Sequence, residues 1–355
     1  MGSNIGNRLN ISVFGESHGT AIGVTIDGLP AGERIDMEAL LHFLSRRRPG
    51  SSLATGRKEL DIPEFLSGVT DGVTNGFPVC AIIRNSDQHS SDYNNLRNNP
   101  RPSHADYTAA LRYGEARDMR GGGHFSGRLT APLCIAGGIG KQILERRGVR
   151  IGAHLQSVGA VSDERFPLHP DDETFNRLEA LKIPVLNEDI IPLIETEIID
   201  AKMTGDSIGG IIECMATGFP AGIGDPMFDG IENNLGKAIF GIPAVKGLEF
   251  GNGFQCASLK GSENNDQFIL NNGRIETETN NHGGFLGGIT SGMPIVFRAA
   301  IKPTPSISLP QKTINLETME ETTLEIKGRH DPCIALRAVP VMEAVTAITL
   351  LDSLL

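Results

Sequence analysis

Two short segments recur, in the same order, in the two halves of the chain, and this repetition limits the possible folds more than any other feature. Residues 22–32 have the pattern of a strand followed by a turn, and residues 208–222 resemble them. Residues 72–79 likewise resemble residues 288–295. One such pair could arise by chance because turns with Gly and Pro are common, but two collinear pairs favour a duplicated, strand-rich unit. A cleft between two such halves would be a natural binding site.

The repeats favour antiparallel sheets over a parallel α/β fold, because they run strand–turn–strand without regular alternation of strand and helix. Hydrophobic periodicity and capping residues predict helices over 36–48, 103–117, 128–148, 187–203 and 338–355. Asp36 would cap the first, a capping box from Ser103 to Asp106 would open the second, and Pro340 would lie near the start of the last. We therefore expect an α+β fold of antiparallel sheets and helices with internal pseudo-symmetry.

The chain is expected to form one domain. Its 39% apolar content allows a sizeable core, and no low-complexity linker divides the 355 residues. We predict a single composite domain over residues 1–355, with pseudo-symmetric halves at roughly 1–150 and 200–355. The loop-like segment at about 160–187 would be a peripheral excursion.

The composition excludes several partners. The formal net charge is −11 and aromatic residues make up 5% with no Trp, so we expect no nucleic acid partner, although a local basic pocket could bind a small anion. The five Cys are widely spaced and form no Cys-x-x-Cys pair. We therefore expect no disulfide framework and no metal site, and the pattern favours a reducing compartment. No apolar stretch approaches membrane-spanning length and the first ten residues lack a signal-peptide core, so we expect a cytoplasmic protein with no membrane partner.

Three of the nine histidines, His18, His104 and His330, lie in short loops of Gly, Pro and charged residues. They stand near the start, in the first third and near the end of the chain, so only folding can bring them together. Histidine is the side chain most easily poised to move a proton near neutral pH. His18 follows a predicted strand and could donate a proton or a hydrogen bond to an oxyanion, whereas a lone histidine of this kind is more often structural.

Three further segments carry groups that suit an anion. The run Arg-Gly-Gly-Gly-His-Phe-Ser-Gly-Arg at 120–128 can turn backbone N–H groups toward an anion, although it could also be a tight turn before a helix. Residues 302–306 offer a Lys and two hydroxyls on a backbone stiffened by Pro. Arg46, Arg47 and Arg48 exceed what a helix dipole requires. With few paired carboxylates, this set predicts recognition of phosphate and carboxylate groups and argues against glycoside or peptide hydrolysis.

Together these motifs resemble the chorismate synthase family. The similarity runs over nearly the whole chain, with ordered matches at residues 14–19, 46–50, 101–107, 205–209, 244–247, 283–289, 302–304 and 328–333. The resemblance implies a carbon–oxygen lyase of the shikimate pathway that converts 5-enolpyruvylshikimate 3-phosphate into chorismate and phosphate by anti-1,4-elimination. It implies a requirement for reduced FMN without net redox change, with NADPH as a candidate reductant. It also implies a β-α sandwich with internal pseudo-twofold symmetry, assembled as a homotetramer.

The resemblance further implies roles for individual residues. His18 matches the acid that protonates the departing phosphate, and His104 matches the histidine that protonates or stabilises the reduced flavin. Asp331, with Ser17 and Ser126, matches the group that assists proton movement at the flavin N5. Substrate or nicotinamide-phosphate contacts are expected at Arg47, Arg48 and Arg128. Cofactor binding is expected at His124, Phe125, Ser126, Pro243, Ala244, Gly287, Lys302, Pro303, Thr304, Pro305, Ser306 and Arg329.

Several residues depart from the usual pattern of the family, mostly at the expected flavin edge. His124 stands where an Arg is usual, Phe125 where a Ser is usual and Leu129 where a Glu is usual. These departures leave two alternatives. One is a non-catalytic flavin- or anion-binding paralogue that kept the fold, and the other is a flavin reductase that uses NADPH.

Overall fold

Two five-stranded sheets form the framework of the protein, whose computed structural model describes residues 2–48, 60–85, 98–326 and 331–355. The strands of the first sheet, in spatial order, are β1 (Asn4–Ile5), β2 (Asn10–Gly15), β3 (Ala21–Asp27), β7 (Val79–Arg84) and β4 (Glu64–Ser67). Those of the second are β11 (Val245–Phe250), β16 (Ile295–Ile301), β10 (Gly210–Thr217), β8 (Arg150–Val158) and β9 (Val161–Ser162). Every strand pairing between described residues is antiparallel.

Hairpins and helices surround these sheets. The hairpins are β5 (Val69–Thr70) with β6 (Val73–Thr74), β12 (Phe268–Asn271) with β13 (Arg274–Thr277), β14 (Phe285–Leu286) with β15 (Ile289–Thr290), and β17 (Gln311–Asn315) with β18 (Glu320–Leu324). The helices are α1 (Met37–Arg47), α2 (Asp106–Tyr113), α3 (Thr130–Arg146), α4 (Asp172–Ala180), α5 (Ile191–Met203), α6 (Ile231–Phe240), α7 (Gly261–Asn264) and α8 (Ala335–Leu354). Among the described residues, none of the helices has the length and apolar character needed to cross a bilayer.

Helices α3 and α8 pack against each other between the two sheets. Helix α3 contacts β2, β3 and β7 of the first sheet, and α8 contacts β8 and β10 of the second. The two helices approach closely at Gly137, where a Cβ would lie 2.3 Å from the Ala344 Cα. One continuous apolar core joins both sheets and this helix pair. The predicted α+β combination of antiparallel sheets and helices is confirmed.

The repeated segments occupy matching places in the two sheets. In the first, the Thr74 hydroxyl donates to the Pro30 carbonyl at 2.6 Å. In the second, the Thr290 hydroxyl donates to the Pro220 carbonyl at 2.7 Å. Each threonine ends a short hairpin that leads into an interior strand, β7 or β16. The repeated segments therefore resemble each other in structure as well as in sequence. The duplication of whole halves stays a prediction.

Local capping explains where the helix predictions succeed and fail. The Asp36 carboxylate caps α1 as predicted, since it accepts hydrogen bonds from the next turn at 2.9 and 3.0 Å. The capping box at Ser103 is wrong, because the Asp106 carboxylate binds Arg101 instead and α2 begins only at Asp106. Pro340 lies inside α8 rather than near its start, because burial of nearly the whole helix outweighs the local cost of proline.

Candidate active site

A cavity of about 1310 Å³ contains residues from most of the predicted loops. Basic side chains outnumber carboxylates in its wall. The basic residues are Arg47, Arg101, Arg117, Arg128, Lys237, Lys246, Lys302 and Arg337. The carboxylates among the described lining residues are Glu16, Asp118 and Asp331. Because the whole chain has a net charge of −11, this local surplus of positive charge indicates an anion site.

His18 lies in the wall of this cavity, in the loop between β2 and β3, and is 4% exposed. The backbone N–H of Ser17 donates to the Gly123 carbonyl at 3.1 Å, which ties this loop to the glycine-rich segment. A Cβ at Gly121 would lie 2.0 Å from His18 Cε1, and Gly121 has φ +61°, so both space and conformation require glycine. The glycine run therefore lets the histidine ring lie directly against the backbone.

His104 is held by a carboxylate on the first turn of α2. Its Nδ1 lies 2.6 Å from Asp106 Oδ1, and Arg101 binds both oxygens of the same carboxylate. Burial would raise the pKa of Asp106, but the hydrogen bonds from Arg101 and His104 outweigh burial and hold that pKa far below its usual value. We assign the Nδ1 proton to the bond with this ionised carboxylate, which leaves Nε2 available to the cavity.

Arg47 and Arg128 meet at one buried carboxylate. Arg47 Nη2 donates to Asp61 Oδ2 at 2.6 Å, and Arg128 Nη1 donates to Asp61 Oδ1. Burial would raise the pKa of Asp61, but the two guanidinium groups lower it below its usual value. We call these three residues the cavity cluster. Its two arginines line the cavity, as expected for substrate contacts, and share this carboxylate.

Asp331 lines the cavity and is bound by a residue of α8. Arg337 Nη1 donates to Asp331 Oδ2 at 2.9 Å, while Arg337 Nε donates to the Arg47 carbonyl at 2.9 Å. The Thr304 hydroxyl donates to the Asp331 carbonyl at 2.9 Å. Arg337 thus joins the end of α1 to the loop that carries Asp331.

Two of the predicted cofactor segments lie together at another part of the wall. Pro243, Ala244, Lys302, Thr304, Pro305 and Ser306 all line the cavity. The backbone N–H of Lys302 donates to the Ala244 carbonyl at 3.0 Å, and Lys302 Nζ donates to the Ser103 carbonyl at 3.0 Å. Burial and the nearby Lys246 lower the pKa of Lys302. The Ser306 hydroxyl accepts a hydrogen bond from Arg101 at 3.2 Å, so this segment also contacts the residues around His104.

His124 stands where the family usually has Arg, and both of its ring nitrogens contact other protein groups. Nδ1 lies 2.8 Å from the Gly15 carbonyl and donates to it, and Nε2 lies 2.8 Å from the Ser3 hydroxyl, which donates in return. The next residue, Phe125, packs against Tyr113 with ring centroids 6.3 Å apart. Both His124 and Phe125 line the cavity, and the histidine joins two segments of the chain through its contacts with Ser3 and Gly15.

The structure does not bring every predicted residue to the cavity. Ser126 lines it, and its hydroxyl accepts from the Arg128 backbone N–H at 3.3 Å. Ser17 lies behind His18, with its hydroxyl buried and without a hydrogen-bond partner among the described residues. Arg48, Gly287 and Pro303 are not part of the described lining. Arg329, like His330, lies outside the described residues.

Several residues of the site were not predicted as functional, among them Asp61, Asp106 and Arg337. Asp106 could have been found as the carboxylate two residues after His104. Arg337 could have been noticed as an isolated charge in an apolar helix. Asp61 has no comparable local signal, because its partners stand 14 and 67 residues away in the chain.

Comparison with known proteins agrees with this architecture. The family model for chorismate synthase matches residues 9–355. The chorismate synthase of Thermococcus kodakarensis is 48% identical over 99% of this chain and 97% of its own, and that of Lancefieldella parvula is 45% identical over 100% and 96%. A crystal structure of chorismate synthase superimposes with a TM-score of 0.77 at 28% identity, covering 98% of this chain and 92% of the other. The chain therefore belongs to the chorismate synthase family.

Proposed function

We propose that this cavity is where the protein catalyses the reaction of its family, the elimination of phosphate from 5-enolpyruvylshikimate 3-phosphate to give chorismate. The observation that carries the proposal is the surplus of Arg and Lys over carboxylates in the wall, next to His18 and His104. The substrate carries a phosphate and two carboxylates, so its binding requires several cations at once. The enzyme is a lyase of aromatic amino-acid biosynthesis.

The phosphate end of the substrate would bind at the cavity cluster. Arg47 and Arg128 supply planar guanidinium groups that suit phosphate oxygens, and Asp61 leaves them one net positive charge. His18 would donate a proton to the oxygen of the departing phosphate, which limits the negative charge that builds up as the C–O bond breaks. Its nearly complete burial limits its contact with bulk water.

The cavity residues fit reduced FMN, the cofactor of the family. The half-buried Lys302 in the cavity wall suits a phosphate, and the buried Ser17 hydroxyl beside the lining, which has no hydrogen-bond partner among the described residues, could accept or donate one hydrogen bond. The Phe125 and Tyr113 rings offer an apolar edge. When bound, reduced FMN supplies electron density that assists cleavage of the C–O bond.

Around that cofactor, the chain would hold and move protons. His104 Nε2 can donate or accept a hydrogen bond in the cavity because Asp106 fixes the opposite nitrogen. Asp331 would act as the proton-handling carboxylate, oriented by Arg337 and placed on the same wall as Ser126.

We further propose NADPH as a reductant for the flavin, with Arg47 or Arg128 rather than Arg48 contacting its phosphate. Arg47 and Arg128 line the described cavity and Arg48 does not, which supports the choice of Arg47 or Arg128 as the phosphate contact. Oxidation of NADPH by the protein with FMN under anaerobic conditions would test it. Absence of oxidation, with normal turnover on photoreduced FMN, would mean that the reductant comes from elsewhere.

A homotetramer in the cytoplasm is also proposed. The hairpin β12–β13 exposes apolar side chains that association would bury, among them Phe268 at 69%, Leu270 at 76% and Ile275 at 71% exposure. All five cysteines are free thiols, which suits a reducing compartment. Light scattering on the purified protein gives the oligomeric state, and a mass other than that of four chains would contradict the proposed assembly.

The function is tested by phosphate release from 5-enolpyruvylshikimate 3-phosphate under anaerobic conditions with photoreduced FMN. Wild-type protein should turn over, and His18→Ala should lower turnover by about two to four orders of magnitude, the usual contribution of a general acid. Tight FMN binding without turnover would favour the non-catalytic paralogue instead. A loss of less than roughly tenfold in the variant would contradict the role of His18, because it falls below that range.

A further inference from the structure

We propose that Asp106 is a positioning residue that decides which ring nitrogen of His104 carries the proton, and so leaves Nε2 to exchange a proton in the cavity. Asp106 is 5% exposed and is not part of the described cavity lining, whereas His104 is. Asp106 would therefore act on a bound molecule through His104 rather than by touching it. The inference deepens the proposed function, because it rests on the proposed location of the active site.

The contacts of His104 Nδ1 give the first reason for this role. Nδ1 lies 2.6 Å from Asp106 Oδ1 and 3.1 Å from Arg101 Nη2. A guanidinium can only donate, so an unprotonated Nδ1 could accept a hydrogen bond from Arg101. That state would set the lone pair of Nδ1 against an oxygen of an ionised carboxylate at 2.6 Å, and the two acceptors would repel each other. The carboxylate of Asp106 therefore requires the proton on Nδ1.

The contacts of Arg101 give the second reason, because they fix the carboxylate of Asp106. The backbone N–H and Nε of Arg101 donate to Oδ2 at 3.0 and 2.7 Å, and Nη2 donates to Oδ1 at 2.8 Å. The side chains of this pair are 6% and 5% exposed. Bidentate, charge-assisted hydrogen bonds of this kind determine orientation as well as energy. The oxygen that contacts His104 is thus held in one direction.

The opposite ring nitrogen gives the third reason. Nε2 of His104 has no hydrogen-bond partner among the described residues. A Cβ at Gly122 would lie 3.5 Å from Nε2 and 3.5 Å from the Cβ of Ser126, which lines the cavity. With Nδ1 protonated, the neutral ring offers a lone pair at Nε2 and the protonated ring offers an N–H there. Gain and loss of the proton both take place at this nitrogen.

The test is Asp106→Asn, which keeps the size of the side chain but replaces one acceptor oxygen by an amide N–H donor. The position of Oδ2 receives two N–H groups of Arg101, so the amide oxygen should occupy it. The amide NH2 would then replace Oδ1, and Nδ1 of His104 would meet donors from both neighbours. We therefore expect the ring proton to move to Nε2.

Neutron diffraction from deuterated crystals locates that proton directly. At about pH 9, above the range in which histidine usually titrates, we expect deuterium on Nδ1 in the wild type and on Nε2 in Asp106→Asn. With photoreduced FMN, kcat of the variant should fall between roughly tenfold and 10⁴-fold, because a catalytic histidine held in the wrong tautomer can lose about that much. KM for 5-enolpyruvylshikimate 3-phosphate should change much less.

Asp172→Asn is the matched control. Asp172 is the first residue of α4, as Asp106 is the first residue of α2, but its side chain is 77% exposed. The control removes a carboxylate from the start of a helix without changing the cavity, so kcat should stay normal. An equal loss of kcat in both variants would overturn the proposal, because it would assign the effect to the helix start.

Two further results would overturn the proposal. Deuterium on Nε2 alone in the wild type would do so without any variant, so the test stands even if Asp106→Asn folds poorly. In a folded variant, loss of kcat with deuterium still on Nδ1, or normal kcat with the proton moved, would separate Asp106 from proton exchange at His104. The position of the proton needs no turnover, so it tests Asp106 even if the wild-type protein fails to catalyse the proposed reaction.

Discussion

Two buried ion clusters begin at neighbouring residues of α1, and they differ in charge balance. The helix-layer cluster consists of Arg46, Lys141, Glu179 and Glu343. The cavity cluster consists of Arg47, Arg128 and Asp61. Successive helix residues point about 100° apart, so the side chains of Arg46 and Arg47 lie on different faces of the helix and contact different parts of the protein. The first cluster has as many anions as cations, and the second has one cation more than it has anions.

The balanced cluster has a structural purpose. Arg46 binds both oxygens of Glu343 at 2.6 and 2.8 Å, and Lys141 adds a third bond at 3.1 Å. Burial would raise the pKa of Glu343, but Arg46 and Lys141 outweigh it and keep the carboxylate ionised. None of the four residues belongs to the described cavity lining. This cluster satisfies its own charges and joins α1, α3, α4 and α8.

The cavity cluster differs because its two arginines lie at the wall of the cavity. Its arginines are as deeply buried as Arg46 and Lys141, yet they line the cavity and both contact Asp61. Guanidinium groups at a cavity wall can bind the phosphate or carboxylate groups of a ligand. The comparison indicates that access to the cavity, rather than burial, distinguishes the arginines that we propose bind substrate from the structural Arg46.

The largest expected effect comes from breaking the balanced cluster. Glu343→Ala should lower the free energy of unfolding by about 3–5 kcal/mol, because Arg46 and Lys141 would remain buried without their shared anion. Equilibrium unfolding in urea measures this loss in the free energy of unfolding. Glu188→Ala, which removes one partner of an exposed pair with Arg177, is the control and should cost about 1 kcal/mol or less. Equal losses in the two variants would contradict the structural role of the helix-layer cluster.

A change at the cavity should instead affect catalysis. Gly121→Ala places a Cβ 2.0 Å from His18 Cε1 and should lower kcat about 100-fold, since a displacement of about 1 Å can cost that much. Both ion clusters stay intact in this variant. Gly127→Ala in the same loop is the control, because its Cβ would meet nothing within 4 Å, and it should retain normal kcat. Normal kcat in Gly121→Ala would show that the position of His18 is unimportant.

A third buried cluster makes the comparison dependent on pH. His154 lies between Asp163 and Glu213, 3.0 Å from each, and Arg298 also contacts Glu213. Burial would lower the pKa of His154, but its two carboxylate partners raise it above its usual value. Its contribution to stability should be complete below about pH 6.5, the unfolded pKa, and should disappear as pH rises through the higher folded pKa.

The slope of that loss is at most about 1.4 kcal/mol per pH unit for one proton. The free energy of unfolding measured by urea between pH 6 and 9 should therefore fall more steeply for wild type than for His154→Gln. His169→Gln, at an exposed histidine between β9 and α4, should match wild type. Parallel curves for wild type and His154→Gln would show that this histidine does not change its protonation on folding.

The sequence was most informative where function depends on a local pattern. The antiparallel α+β fold, the Asp36 cap and the loops of His18 and His104 were all readable from periodicity, capping residues and glycine-rich motifs. Those patterns depend on neighbours in the chain. Membership of the family was confirmed, while the individual site residues stay predictions.

Sequence reasoning failed where a side chain chooses between distant partners. Ser103 has the spacing of a capping residue, but Asp106 gains more from Arg101 and His104 than from a helix end. The pairing of Arg46 with Glu343, 297 residues away, and that of Arg47 with Asp61 cannot be distinguished locally, because adjacent arginines look equivalent in sequence. Only the packing of α1 against α3 and α8 decides which arginine reaches the cavity.

The most direct measurement of the central claim is KM for 5-enolpyruvylshikimate 3-phosphate in Arg46→Met and Arg47→Met, assayed anaerobically with photoreduced FMN. Arg47→Met should raise KM roughly 10- to 150-fold, the equivalent of losing one charge-assisted hydrogen bond of about 1.5–3 kcal/mol. Arg46→Met should lower Tm and leave KM within about twofold of wild type, because the substitution changes neither the wall nor the charge of the cavity. A similar rise in KM for both variants, or a rise only in Arg46→Met, would contradict the division between a structural helix-layer cluster and a substrate-binding cavity cluster.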